Sequence, residues 1–317
     1  MRSDFLTLAN DELTLDLDPG RGADVLTLAH RRHPFNVLFQ SPWRDRADAI
    51  RGGQAPSTFD PVAGWLEQYR GGWQTLCPNA GPPRPVHDAP VGFHGEASIV
   101  PWTVTSASTD RAELYVELFS VPVGISRTVS LEGSTVRLDD SVTNLSSTPL
   151  EFDYSSHPAL GGAFLEGECV LQTGARRFTT DPDTDSEIFA PGSQHGWPWG
   201  QTRTGETVDL RQVPKPGVQR AIFGWLHDFS DHWASVTSLD LGLTVRVAWD
   251  GGHLPYAWLW QELNATEGFP WFGRARAVAI EPASTQTSGS ERRSALRLGP
   301  RETVDLWLSL GIEDGSS

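Results

Sequence analysis

Lysine is almost missing from this chain. Of 25 basic residues among 317, only Lys215 is a lysine, so positive charge rests on planar, always-ionised guanidinium groups. Cysteine is scarce as well. Cys77 and Cys169 lie far apart, which excludes a disulfide framework and a cysteine-rich zinc site. Positive charge as a whole is in deficit, with a formal net charge of −15. Nucleic acid is therefore excluded as a partner, because its phosphates require a basic surface to displace counterions, and anionic membranes gain no attraction. No run approaches the ~20 apolar residues of a membrane span. The N-terminal MRSDFLTLAN lacks the apolar core of a signal peptide, so a cytoplasmic location is expected. Long helical periodicities, internal repeats and low-complexity linkers are absent too, and one domain over residues 1–317 is the expectation.

What the chain has is aromatic bulk and turn residues: 13 Trp, 14 Phe, 31 Gly and 23 Pro. Alternation of apolar and polar residues recurs in ELTLDLD (12–18), STVRLDDSVTN (134–144), LTVRVAWD (243–250) and TVDLWLSL (303–310). A period of two marks half-buried strands. The second of these places Asp140 on the same face as Val136, Leu138 and Val142. A single short helix is expected around PVAGWLEQY (61–69). About fifteen strands without a break predict an all-β protein, one large antiparallel sandwich whose loops build a site on a concave sheet face.

Three stretches bring ionisable groups to strand ends or tight loops. RARAVAIEPAST (274–285) alternates and then presents Glu281 before Pro282. LEFDYSSHPALGG (150–162) does the same with His157 before Pro158. Proline has no N–H to donate, so both residues are expected at the end of a ladder or at a bulge. In VGFHGEAS (91–98), His94 precedes Gly95, whose missing side chain would let a ligand approach the backbone. Taken alone, Glu281 and His94 read first as ordinary solvent-facing or loop residues, and His157 reads equally well as one. Together, one carboxylate and two imidazoles form a general acid–base set without a nucleophile. A carboxylate beside a histidine raises the histidine's pKa, so both are expected to be ionised at neutral pH.

Two acidic stretches suggest metals only superficially. DPDTDSE (181–187) opens like a calcium loop, but Ser186 occupies the glycine position and Gly192 the place of the final glutamate. HDFSDH (227–232) has no single-face spacing and reads as a hairpin turn. No metal and no cofactor is expected.

In order along the chain, GGWQTLCPNAG, GFHGEAS, SSHPALGG, LPYAWLWQE and AIEPAST resemble the aldose 1-epimerase, or galactose mutarotase-like, superfamily over about residues 10 to 310. The resemblance implies a large antiparallel β-supersandwich that binds a small-molecule aldose, as a monomer or a homodimer. It implies Glu281 as catalytic base, His157 as catalytic acid, and His94 as the histidine that polarises the sugar near its ring oxygen. Arg70 is similar to a substrate-contacting arginine, and Gln261 in LWQE would meet hydroxyls. Asp250 and Glu96 are the candidates for the carboxylate that grips sugar hydroxyls. Trp73, Trp197, Trp258, Trp260 and Trp271 could supply an aromatic platform. Arg70 with Arg21 could receive an anionic substituent. Departures after His94 (Glu96-Ala97-Ser98) and after His157 (Pro158-Ala159-Leu160-Gly161) mark a divergent branch. They keep open a carbohydrate-binding protein without catalysis. A glycosidase or lyase, which would pair Glu281 with Glu96 or Asp250, is the third reading.

Overall fold

The computed structural model describes residues 5–184, 188–289, 292 and 295–315. Among these, seventeen strands join one hydrogen-bonded network in which every pairing is antiparallel. The expected alternation is realised: Thr135–Asn144 buries every second residue, as does Leu243–Trp249. Their buried faces, with Leu15, Leu138, Val247 and Leu308, form the main apolar core. Asp140 belongs to that buried face because Arg127 meets it through Nε and Nη2 at 2.7 and 2.6 Å. A fully paired buried carboxylate avoids the desolvation penalty of a lone one.

The expected helix forms at Pro61–Glu67. Proline at its first position costs no hydrogen bond, and the Asp60 side chain accepts from the N–H groups of Val62 and Ala63 at 3.0 and 2.8 Å. A second helix, Arg44–Arg51, was not foreseen. None of the helices among the described residues is long and apolar enough to cross a membrane.

Three local expectations change. HDFSDH is no hairpin turn; it lies inside the 19-residue strand Arg220–Ser238. The ladder to Cys169–Thr180 jumps from Thr173↔Ala234 to Ala175↔Phe229, so Ser230–Trp233 forms a bulge. Gly174 opposes it, where a Cβ would fall 2.0 Å from the Asp231 carbonyl oxygen. Polar residues that resemble a turn are thus the solvent face of a kink, which lets one strand pair first with Tyr256–Leu263 and then with Leu243–Trp249. The other two changes concern the prolines. Ser155–Gly161 runs on through Pro158, and Arg276–Ala283 runs on through Pro282. His157 and Glu281 therefore stand within strands and not at their ends.

Candidate active site

The two proline-bearing strands are neighbours. Their ladder pairs Ser155 with Ala283 and Ala159 with Ala279, and lapses between those points, where both prolines lie. The shared register puts His157 opposite Glu281. Direct cross-strand partners share a face, and His157 Nε2 lies 3.5 Å from Glu281 Oε1. Along the Glu281 strand, Val278 and Ile280 enter the main core, while Ala277 and Ala279 face the other way with Glu281. Small side chains on this face leave the carboxylate accessible to a cavity of about 800 Å³.

His94 reaches the same cavity from its loop. Its Nδ1 accepts a hydrogen bond from the Gly81 N–H at 3.1 Å, and its own N–H donates to the Gly81 carbonyl at 3.0 Å. The tautomer follows: in the neutral ring the proton sits on Nε2, which is left as a donor. Gly95 is required by the chain rather than by a ligand, since its φ is 75° and a Cβ would lie 2.5 Å from the Cys77 carbonyl oxygen. Beneath this loop, Asn79 Nδ2 donates to the Pro82 and Gly92 carbonyls at 3.0 and 2.9 Å. The Asn79 amide oxygen accepts from Arg84 and Arg292, which both also bind Asp153. Asn79, Asp153 and Arg292 were not foreseen as supports of the site.

Aromatic rings enclose the three groups. The helix Pro61–Glu67 presents Trp65, which stacks on Tyr69 at 4.9 Å and meets His94 edge-on at 4.6 Å. Tyr69 stands edge-on to His157 at 5.9 Å, and Trp260 lies 6.1 Å from it. Of the five expected tryptophans, Trp258, Trp260 and Trp271 line the cavity. Trp73 and Trp197 do not. Trp73 is buried in the main core and donates its indole N–H to Ser156, and Trp197 packs against that core. The signal for Trp65 was available: it precedes Tyr69 by four residues, the spacing of one helical face.

Several expected sugar contacts are engaged elsewhere. Arg70 lies outside the cavity lining and is spent on the buried carboxylate of Asp18, with Asp48 at 3.4 Å. Burial alone would raise the Asp18 pKa, but Arg51 and Arg70 outweigh it and hold this carboxyl below its ordinary value. Arg21 donates to Gln68 Oε1 at 2.9 Å, so the Arg70–Arg21 pair makes no anion site in the cavity. Glu96 accepts the N–H groups of Phe119 and Ser120 at 2.7 and 2.8 Å. Asp250 is bound to His253 Nδ1 at 2.5 Å and to the Gly252 N–H. Neither carboxylate lines the cavity. Gln261 borders it, but its ladder partners Val278 and Ile222 belong to the main core. Its side chain therefore faces away from the cavity, where its amide oxygen accepts from Arg220 at 2.8 Å.

The electrostatics also reverse an expectation. Burial pushes the Glu281 pKa well above 4.5 and brings His157 down to about 4. His94 is pushed well below 6.5 by burial, with His157 and Arg292 adding to the shift. The enclosed, aromatic surroundings disfavour every charged form. Burial thus favours the uncharged form of each group, protonated Glu281 and neutral His157, over the two ionised groups expected. Residues 185–187 of the acidic stretch lie outside the described residues; Asp181 accepts from the Asp183 N–H, Thr184 and Ser288. Among the described residues, no three His, Cys, Asp or Glu side chains gather as metal ligands.

Residues 3–311 match the model of a protein family described as "Domain of unknown function (DUF4432)". Among solved structures, the chain is similar to the Slr1438 protein from Synechocystis sp. PCC 6803. That likeness has 19% identity and a TM-score of 0.70, and covers 99% of this chain and 97% of that one. A galactose mutarotase-like protein from Lactobacillus casei ATCC 334 is 14% identical with a TM-score of 0.68, over 98% of this chain and 100% of that one. The GalM/aldose epimerase homologue from C. elegans is 14% identical with a TM-score of 0.66, over 99% and 100%. No curated protein matches the sequence. The fold is the galactose mutarotase-like β-sandwich.

Two outcomes follow from these placements. Arg70→Met leaves Asp18 buried beside Arg51 alone and lowers stability, by an amount toward the low end of the about 3–5 kcal/mol lost when a buried pair is broken. A denaturant titration reads it; a contribution to ligand binding without loss of stability would contradict the assignment. Glu281→Gln has the opposite sign. A glutamate with a raised folded pKa keeps a proton that the unfolded chain releases above 4.5. Stability therefore falls as pH climbs toward the folded pKa, and glutamine removes that loss. The stabilisation of Glu281→Gln over the native chain should widen as pH rises above 4.5 and level off once pH passes the folded pKa of Glu281. A gap that stays constant above pH 4.5 would mean that burial does not raise the Glu281 pKa.

Proposed function

This chain belongs to the family described as "Domain of unknown function (DUF4432)", and from that premise and its fold we propose that it interconverts sugar anomers as an aldose 1-epimerase. The observation that carries the reading is the facing of His157 and Glu281 at 3.5 Å, beside His94, on one aromatic cavity. Ring opening of a cyclic hemiacetal requires a proton to leave the C1 hydroxyl while another reaches the ring oxygen. A pair that holds one proton supplies both functions. Glu281 accepts the C1 hydroxyl proton as the His157 imidazolium donates from Nε2 to the ring oxygen. The C1–O5 bond breaks and C1 becomes an aldehyde carbon. Rotation about C1–C2 presents the other carbonyl face, and the two proton transfers run in reverse. His94, with Nε2–H directed outward from the Gly81 contact, donates a hydrogen bond that steadies the oxygen on which charge develops. No electron or group is transferred, so general acid–base chemistry completes the reaction.

Polarimetry on freshly dissolved α-glucose or α-galactose tests this. Glu281→Gln and His157→Asn should each lower the enzymatic rate by about 10²–10⁴, the range of one well-placed acid or base. A native rate in Glu281→Gln removes that residue as the base. Sugar binding by the native chain without faster equilibration would instead favour the carbohydrate-binding protein.

The pH dependence follows from the single shared proton. As pH falls through about 4, His157 gains a second proton for the pair and activity declines. As pH rises through the elevated pKa of Glu281, the pair loses its only proton and activity declines again. Between these limits the rate should be flat, with two apparent pKa values that belong to the pair. A rise in activity centred near the ordinary histidine pKa would contradict a neutral resting pair.

A further inference from the structure

The cavity extends well past the two acid–base groups. Glu281 lies opposite Trp258 in the ladder. From there the lining continues along the same strand past Trp260 to Glu262, four residues or about 13 Å at ~3.3 Å per residue. That is more than the width of one pyranose. The volume of about 800 Å³ agrees, since drug-sized ligands fill pockets of about 300–1,000 Å³ and one hexose is much smaller.

The floor of this extension has a specific composition. Phe223 is the cross-strand partner of Trp260, and Ala221 that of Glu262. Phe223 and Trp260 are both half-buried and both line the cavity, so each presents an uncovered ring surface. Phe223 is held edge-on against Trp258 at 6.0 Å. The methyl group of Ala221 then lowers the floor beyond the rings. At the far rim lie Gln219, Thr266 and Glu267, whose polar groups suit hydroxyls. Glu262 is closed off, its carboxylate accepting from the N–H groups of Ala265 and Thr266 and from the Thr266 hydroxyl. Arg220 borders the cavity, but its place in the ladder, on the face of Ile222, turns its side chain toward Gln261. The carboxylates at this end disfavour an anionic occupant.

We infer that the Phe223–Ala221 floor is a second sugar subsite, and that the substrate is a neutral reducing disaccharide or longer saccharide. The inference rests on the epimerase reading. Its reducing aldose unit, which keeps a free C1 hydroxyl, occupies the His157–Glu281 end. The next unit is linked through another hydroxyl of the aldose and stacks its C–H face on Phe223, apolar contact with the ring surface supplying the affinity.

The test compares glucose with cellobiose, maltose and lactose, all of which end in glucose, by NMR exchange between anomers. Native protein should show kcat/KM at least about tenfold higher for one of these disaccharides than for glucose, through a lower KM. Phe223→Ala should remove most of that advantage and leave glucose within about twofold. Phe223→Leu, which keeps more of the side chain, should fall between the two. Equal kcat/KM for glucose and all three disaccharides overturns the subsite, as does an equal loss on glucose and disaccharide in both variants; either result leaves the epimerase reading intact. If no sugar is equilibrated, but saturation-transfer NMR shows cellobiose, maltose or lactose bound with a dependence on Phe223, the subsite stands and the epimerase reading falls. Absence of binding by all three overturns the subsite.

Discussion

The site depends on a lapse in one ladder. Two adjacent strands each carry a proline, and between the pairs Ser155–Ala283 and Ala159–Ala279 the backbone register continues although the ladder does not. Proline removes a donor without forcing the chain out of the extended region. His157 and Glu281 consequently meet as a cross-strand pair deep in the sheet, and not on mobile loops at its rim. Their separation is set by strand spacing, which is among the least adjustable dimensions of a protein. Rigid placement is what the proposed acid–base chemistry at two oxygens of one sugar demands.

Two buried charge clusters hold the surroundings of that pair while staying outside the cavity. Asp153 with Arg84, Arg292 and Asn79 underlies the loop that fixes the ring of His94. Asp18 with Arg51 and Arg70 ties the helix Arg44–Arg51 to the end of the strand Leu13–Asp18. Both clusters place carboxylates under guanidinium groups, where complementary charge offsets desolvation. Among the described residues the dyad receives no such cation. Burial there favours the uncharged forms, and this difference separates the scaffold's ionisable groups from the dyad.

Much of this was legible in the sequence. Alternation located the strands at 12–18, 134–144, 243–250 and 303–310, and the paired His-Pro and Glu-Pro endings singled out both dyad members. Their depth was not legible, because an X-Pro step reads as a strand end unless the neighbouring strand is known. Gln261 was recoverable. Taken as a strand, WLWQEL puts Gln261 with Leu259 and Leu263 on one face and Trp260 with Glu262 on the other, so period two already argued against a sugar contact. Arg70 was not recoverable, since its partner Asp18 lies fifty-two positions away and no local pattern links them. HDFSDH failed for a related reason: turn-like composition also describes the exposed side of a bulge, and only the opposing Gly174 distinguishes the two.

The preference of the pair for its uncharged forms bears on the proposed reaction. Charge separation within the pair, carboxylate beside imidazolium, is disfavoured while the cavity wall is indole, phenol and methyl groups. A sugar changes that environment, because its hydroxyls bring dipoles to Glu281 and its ring oxygen accepts from His157. In the proposed reaction the hydroxyls of the sugar therefore stabilise the ionised pair that would open its ring. An apolar molecule of equal shape would fill the cavity and leave the proton where it was. On that reading selectivity for a hemiacetal would need no dense array of polar side chains, which agrees with Arg70, Glu96, Asp250 and Gln261 all being engaged elsewhere.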